Sequence, residues 1–465
     1  RRYRQLRNGI RKYYRDNYPL TEAAMKEEFF NPGDASVSRI AHEPKVALAV
    51  MMQILAPWRA SGALEIRLRF KPVAVEAIGD SIRAITFLNM NNGQRETLSA
   101  SYFIDATELG ELLYLGGVEY VSGAESIAET GEEHAVDGPA QPDNVQAFTW
   151  CLAVSHDPDP GANHTIIRPE NYEFWRNYVP ALSPPWPGKM LSMVYSNPRT
   201  LQPITGKMFP DSQQDKSFTL WRYRRIFAAH NFDFKQNAHD ISIINWPQND
   251  YIEGNIIDRP EAEVRVQLEN ARQLSLSLLF WLQTEAPRLD GGTGYPGLCP
   301  RPDVVGTEDG LAKAPYIRES RRIKALQTVT ETYLSRKGRQ SNLADPLKDS
   351  VGIGAYAMDL HPTTGGVNYI DHPACLFQIP LGAMIPVRMR NLLPACKNIG
   401  TTHLSNGCYR LHPVEWNIGE AAGILAAYCV ARQLEARAVY ENESRLHDFQ
   451  SLLLKHGIEL AWPEQ

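Results

Sequence analysis

The sequence predicts a mixed α/β fold, on three observations. A stripe of apolar residues at helical spacing runs over 261–286, and 43–58 reads as a helix that opens at Pro44. Between 65 and 89 the period shortens to alternation, as half-buried strands require. "YFIDAT" (102–107) is a short apolar run of the kind a buried parallel strand shows.

The elements follow in order. Leu6, Ile10 and Tyr13 or Tyr14 share one helical face, so residues 1–20 form an amphipathic helix. Over 43–58 a second helix carries Pro44 in its tolerated first turn. Glu65, Arg67 and Arg69 alternate with Ile66, Leu68 and Phe70, and two further strands at 73–78 and 82–89 flank Gly79 and Asp80. These make a β-meander, and Asn92-Gly93 adds another hairpin-type turn. Residues 131–250 are rich in Pro, Trp, Tyr and Asn without periodicity, which predicts a loop-rich insertion. The helix over 261–286 presents Val264, Leu268, Ala271, Leu274, Leu278 and Leu282 on one stripe. Residues 316–335, basic in character, also read as helical. From 376 the pattern becomes strand, turn, strand and helix, and the last helix (443–456) stops at Gly457. The domain reading is 1–120, an inserted substrate-side unit at 121–345, a return to the first domain over 346–440, and a terminal helix and tail at 441–465.

The composition excludes several classes. With 43% hydrophobic and 22% charged residues in 465, the chain is of ordinary globular type. A net charge of -5 offers no electrostatic reason to bind nucleic acid. No run of about 18 apolar residues predicts a membrane span. The six cysteines form no C-x-x-C pair, so neither a zinc ribbon nor a redox dithiol is encoded. Asp359, His361, Asp371 and His372 lack tight ligand spacing, and no metal is expected. Oligomeric state and compartment are not encoded legibly.

"GGTGYPG" (291–297) matches G-x-G-x-x-G, the pattern of a pyrophosphate cradle. A working cradle follows a strand and opens a helix. This one trails a helix, contains Pro296 and runs into a non-helical segment, so it reads as a turn.

The densest chemical constellation is 391–423, "NLLPACKNIGTTHLSNGCYRLHPVEWNIGEAAG". A short strand at Leu392 and Leu393 ends in a polar turn. A loop with His403, Asn406, Arg410 and His412 follows, then a helix with small residues at Gly419, Ala422 and Gly423. This stretch resembles the C-terminal FAD-binding segment of FAD-dependent oxidoreductases of the glutathione-reductase fold class, nearest the fumarate-reductase-like branch. "YFIDATELGELLYLGGVEY" (102–120), "YIRESRRI" (316–323) and "GIGAYAMDLHP" (352–362) resemble further segments of that family. The sequence departs from the pattern at Cys396, Lys397 and Asn398 and at Glu108, where the family usually carries glycine or an acidic residue.

The resemblance implies FAD as cofactor and a Rossmann-like FAD-binding domain. It also implies an amino-terminal G-x-G-x-x-G unit, which is not found, so the chain is expected to be truncated and that domain incomplete. By the same resemblance, Ala106 and Thr107 pass near the FAD phosphates. Ala395, Cys396, Lys397 and Asn398 face the ribitol and pyrophosphate. Asn417, Ile418 and Gly419 offer a helix amino end to the flavin pyrimidine, and the strand around Val73 meets the adenine.

Catalytic candidates are His403 and His412, as imidazoles that titrate near neutral pH, and Arg321 and Arg410, as anion or proton partners. The alternative for each histidine is a loop residue bonded to backbone. For Arg410 it is an ion pair with Glu415, and for Arg318, Arg321 and Arg322 it is helix-surface pairing with Glu319. The resulting function is hydride transfer between a small organic substrate, hydroxylated or carboxylated, and flavin N5. Rival readings are a carbohydrate-active hydrolase or lyase, from the many Trp, Tyr and Asp residues, and a non-catalytic binding protein.

Overall fold

The computed structural model describes residues 2–211, 217–234 and 238–463. Helix α1 (Arg2–Asn17) buries Leu6, Ile10 and Tyr14, so the second candidate tyrosine completes the stripe. It packs on α2 (Pro44–Ala60) through Val46 and Val50. Gly9 permits the approach, since a Cβ there would lie 2.6 Å from a Val50 methyl carbon.

Strands β1 (Phe70–Ile78), β2 (Ser81–Asn89) and β3 (Arg95–Ser99) form the antiparallel meander. Residues 65–69, expected as strand, are not one. Arg69 takes a φ of 62°, which breaks the extended run, and Arg67 pairs with Glu65 and Glu96. The alternation there reflects charge pairing at the surface. β4 (Phe103–Asp105) leaves the meander and enters the core.

The middle of the chain holds β5 (Phe148–Thr149), β6 (Leu152–His156), β7 (Arg225–Phe227), β8 (Ile241–Ile244) and β9 (Asp250–Tyr251). Helix α3 (Glu261–Thr284) and β10 (Leu298–Pro300) complete it. An antiparallel sheet runs in the order β7-β8-β6-β10, while β5 pairs with β9. Ala271, Leu274, Leu278 and Leu282 of α3 share a core with Leu152, Val154, Ile244 and Leu298 of this sheet. At about 25 cal/mol per Å² of apolar surface, each such leucine contributes about 2 kcal/mol.

Residues 316–335 are extended rather than helical. Only 331–334 make a helical turn, and Arg322 and Ile323 form a short strand against Val121 and Tyr120. The cause is backbone competition: Tyr316 N donates to Thr149 O at 2.7 Å, and Ile323 N donates to Asn398 O at 3.0 Å.

The remainder contains β11 (Ser350–Gly354), β12 (Met358–Leu360), β13 (Ile370–His372), β14 (Phe377–Pro380) and β15 (Leu392–Pro394). Helices α4 (His403–Tyr409), α5 (His412–Arg432) and α6 (Glu443–Lys455) follow, with a short helix at Ala436–Tyr440 between the last two. The expected loop around His403 is therefore helical, capped by Thr402, whose hydroxyl accepts from Ser405 N. α6 buries Leu446, Phe449 and Leu453 and ends before Gly457, whose φ of 75° suits glycine. Around α5 a second core gathers Ile418, Ala421, Ala422 and Leu425 with Val351, Phe377, Ile379 and Leu393. Among the described residues no helix is long and apolar enough to cross a membrane.

Candidate functional site

β4 and β15 pair in parallel, with Leu393 opposite Ile104 and Pro394 opposite Asp105. Both chains then turn, and the two turns are tied together. Ala395 N donates to Asp105 O at 2.8 Å, and Asn398 Nδ2 donates to the same oxygen at 3.1 Å. Thr107 donates to Asp105 Oδ1 through its backbone N–H and its hydroxyl. Lys397 Nζ reaches Glu108 Oε2 at 2.6 Å, and Glu415 lies 4.0 Å away. Those two carboxylates hold the Lys397 ammonium above its ordinary range despite burial. Burial pushes the Cys396 thiol up to about 12, so it is a protonated packing residue that donates to Thr107 O and Asn398 Oδ1. Thus the Lys-for-acid departure at 397 is matched by the Glu-for-Gly departure at 108.

α5 starts beside these turns, but not where expected. Its first residue is His412, so Asn417, Ile418 and Gly419 lie in the second turn rather than at the amino end. The cause is Pro413 at the second helical position, where its fixed φ and missing N–H favour initiation. Asn417 Nδ2 donates to Ile353 O, Ile418 is in the core, and a Cβ on Gly419 would meet Ala395 O at 3.4 Å. Gly419 therefore serves close helix–strand packing. No side chain caps α5. His412 is open to water yet surrounded by charge. Desolvation, then Arg224 and Lys397, lower its pKa, which leaves the ring neutral.

A second cluster lies on β9 and the segment after β12. Asp250 Oδ2 accepts from His361 Nδ1 at 2.5 Å, and Asp250 Oδ1 accepts from Thr149 Oγ1 at 2.5 Å. Arg318, fully buried, contacts Asp250 Oδ1 at 3.0 Å and donates to Ala147 O and Thr149 Oγ1. Burial alone would raise the Asp250 carboxyl; Arg318 and His361 bring it down to about 2. An ionised Asp250 cannot donate, so Nδ1 of His361 carries the hydrogen. Desolvation and Arg318 lower the His361 pKa. The ring is then neutral, and its Nε2 lone pair has no hydrogen-bond partner among the described residues.

A third cluster is buried behind it. Glu319 Oε1 accepts from His403 Nδ1 at 3.0 Å and from Arg322 Nη1 at 2.6 Å, while Oε2 accepts from Gln146 N at 3.0 Å. Arg322 also binds Glu125 at 2.8 Å, and His403 N donates to Glu125 Oε2. Against its burial, His403 and Arg322 hold Glu319 at about 2. The pairing with Glu319 is therefore interior, not on a helix surface. Arg321 stands apart: Asp258 and Leu109 O take its donors, and it lies over the rings of Tyr114 and Tyr120.

Arg410 ends α4 and joins the clusters. Its Nη2 donates to Asp359 O at 2.6 Å and lies 3.5 Å from Asp359 Oδ2, so the expected pairing with Glu415 is replaced by Asp359. Asp359 also accepts from Tyr356 Oη at 3.0 Å. Behind Arg318 stands Asn245, whose Oδ1 accepts from Arg318 Nη2 and whose backbone O accepts from Arg224 Nε, both at 3.2 Å. Asp250, Glu125 and Arg224 escaped the sequence reading, and Glu319 entered it only as a helix-surface partner. Only Asp250, inside the polar-aromatic "WPQNDY", carried a visible signal.

Val73 sits where the β1–β2 register slips between Pro72 and Ala74. Ala106 is exposed at the end of β4, and Asp105 Oδ2 and Glu415 Oε1 are buried without a hydrogen-bond partner. An uncapped helix start, a parallel strand end and two orphaned acceptors suit the hydroxyl-rich, hydrogen-bond-donating flavin–ribitol part of FAD. Asp359 and Asp371 face one another across β12 and β13, but His361 is bound to Asp250 and His372 stacks on His134. Among the described residues no three acidic, His or Cys side chains gather as a metal requires.

No curated protein and no solved structure matches the chain. The family described as FAD dependent oxidoreductase matches residues 1–453. The chain, with its mixed α/β architecture, therefore belongs to the FAD-dependent oxidoreductase family, whose cofactor is FAD.

Proposed function

We propose that the protein transfers a hydride between a small polar organic substrate, hydroxylated or carboxylated, and N5 of FAD, with the substrate beside His361, Arg410 and His412. Bound FAD supplies the two-electron acceptor or donor; the chain supplies position, field and proton transfer. In this reading the turns at Ala106 and Thr107 meet the FAD phosphates, and Ala395, Cys396, Lys397 and Asn398 meet the ribitol and pyrophosphate. The start of α5, at His412, takes the role expected of Asn417, Ile418 and Gly419, because a helix amino end favours electron-rich oxygen. Val73 serves the adenine with the backbone groups its register slip leaves outside the ladder. The segment 121–345 contributes the substrate side.

The observation that carries this reading is the His361–Asp250 pair with Nε2 unpartnered. A substrate hydroxyl can pass its proton to Nε2, and ionised Asp250 stabilises the imidazolium that results. Arg410 orients Asp359 beside that ring. His412, kept neutral by desolvation and then by its cationic neighbours, is the second group able to take a proton. His403 and Arg321 act by position, since carboxylates already hold their donors.

The test is reconstitution with FAD, followed by anaerobic mixing with hydroxy acids and polyols while the visible flavin bands are recorded. Bleaching by one of them, slowed about 10²–10⁴-fold in His361→Ala, is the expected result. A bound flavin that His361→Ala reduces at the wild-type rate removes His361 from the reaction.

A further inference from the structure

The cations around the candidate site are not equivalent. Arg318 is matched by Asp250, Arg410 by Asp359, and Lys397 by Glu108. Arg224 has no such match. Its Nε donates to Asn245 O at 3.2 Å, and its guanidinium lies 4.9 Å from the centre of the Tyr223 ring. Among the described residues its two terminal nitrogens meet no carboxylate and no hydrogen-bond acceptor. A half-buried guanidinium with an open two-nitrogen edge is an incomplete pair, because desolvation is offset only when an anion arrives.

Arg224 is also wired to the proton-accepting pair. Asn245 receives Arg224 Nε on its backbone oxygen and Arg318 Nη2 on its side chain, and Arg318 holds Asp250 against His361. The strongest electrostatic influences on Arg224 are Tyr223, Tyr316, Cys151 and Tyr356, and Arg224 in turn acts on His412. Tyr356 donates to Asp359, which connects this side of the site to Arg410.

The pairing pattern then points to the ligand. Arg318, Arg410 and Lys397 each face a carboxylate, Lys397 with a second, Glu415, at 4.0 Å, whereas Arg224 faces none among the described residues. We propose that Arg224 is the carboxylate anchor of the substrate subsite, and that its ligand is a small organic monocarboxylate rather than a dicarboxylate or a neutral polyol. A planar carboxylate accepts two parallel N–H bonds from the open edge of the guanidinium. A second carboxylate on the ligand would find Arg318, Arg410 and Lys397 already paired. The proposal rests on the reading of this cluster as the substrate site, and it adds the substrate's charge.

Calorimetric titration of the FAD-reconstituted protein with glycolate, lactate and mandelate tests it without turnover, with malonate and propane-1,2-diol as comparisons. Saturable binding of at least one monocarboxylate is expected, weakened about 10–100-fold in Arg224→Met. Arg224→Lys keeps the charge but not the two-nitrogen edge and should lie between the two. Arg288→Gln, on the exposed turn beside Asp290, should bind as the wild type does. Circular dichroism and melting identify any variant that fails to fold, and Arg224→Lys then carries the comparison. Equal affinity in the wild type and a folded Arg224 variant overturns the assignment. So does tighter binding of malonate, or no binding of any of the three monocarboxylates. Monocarboxylate binding without flavin bleaching would leave the anchor standing and sink the redox reading. Bleaching by a neutral polyol alone would do the reverse.

Discussion

At the scale of single residues, Asp250 sets the chemistry open to His361. The carboxylate fixes the hydrogen on Nδ1 and so exposes the Nε2 lone pair. Because desolvation and Arg318 lower the imidazole pKa, His361 is unprotonated before neutral pH is reached. The rate of flavin reduction should therefore rise with pH and level off, with its acid-side midpoint below about 6.5, the ordinary histidine value. Asp250→Asn removes the stronger of the two anions that raise this pKa, Asp359 being the other, and leaves Arg318 without its carboxylate. The expected outcome is a slower reaction whose acid-side midpoint moves further down, measured as rate against pH. An upward move would contradict the pairing. Neither residue drew attention as a pair in sequence, since 111 positions separate them.

At the scale of elements, the contact of α4 with β12 aligns Arg410 with Asp359. Gly407 makes that contact possible. A Cβ there would stand 2.8 Å from Leu360 Cδ1 and 3.0 Å from Asp359 N, and backbone cannot yield as a side chain can. Gly407→Ala should destabilise the protein by about 1–3 kcal/mol, as overpacking does. It should also lower activity by more than the loss of folded protein explains, because Arg410 moves with the helix. Melting and kinetics on the same preparation separate the two effects. The helices α1, α3 and α6 were legible from apolar spacing, since each buries one stripe, while α2 was read from its apolar run behind Pro44 and α5 from its small residues and the family resemblance. α4 was not, because His403, Leu404, Ser405, Asn406, Gly407, Cys408 and Tyr409 are all buried and a helix buried all round has no polar face to give it a period. The opposite error arose at 316–335, where basic and apolar residues mimic a helix but each arginine reaches a different element.

At the scale of the whole molecule, the interior charge network joins segments far apart in the chain. Glu319 binds Arg322, His403 and Gln146 N, while Arg322 and His403 both reach Glu125. A carboxylate held at about 2 in the fold, against about 4.3 when unfolded, contributes stability that is fully present above the unfolded value. It is lost as pH falls from about 4 toward 2, and amounts to a few kcal/mol, on the order of 3. The melting temperature should accordingly fall steeply over that window. Glu319→Gln should melt lower at pH 7 and show a shallower acid decline. Asp250, held at about 2 by its own partners, should keep part of that decline in the variant.

What the sequence determined by itself was local: helices with a single buried stripe, the hairpin turns of the meander, the short strand at 103–105, and the small-residue helix whose motif carries the family. Each depends on neighbours within a few positions, where spacing and turn chemistry act directly. Likewise, "GGTGYPG" was readable as a turn, and Gly294 N indeed bonds back to Ala286 O at 2.7 Å at the end of α3. Only the tertiary structure decided which charges meet. It joined Asp250 to His361, Glu319 to His403 and Arg410 to Asp359, and among the described residues it left Arg224 without a counterion. Ion pairs form across any length of chain once packing brings their carriers together, so sequence spacing records nothing of them.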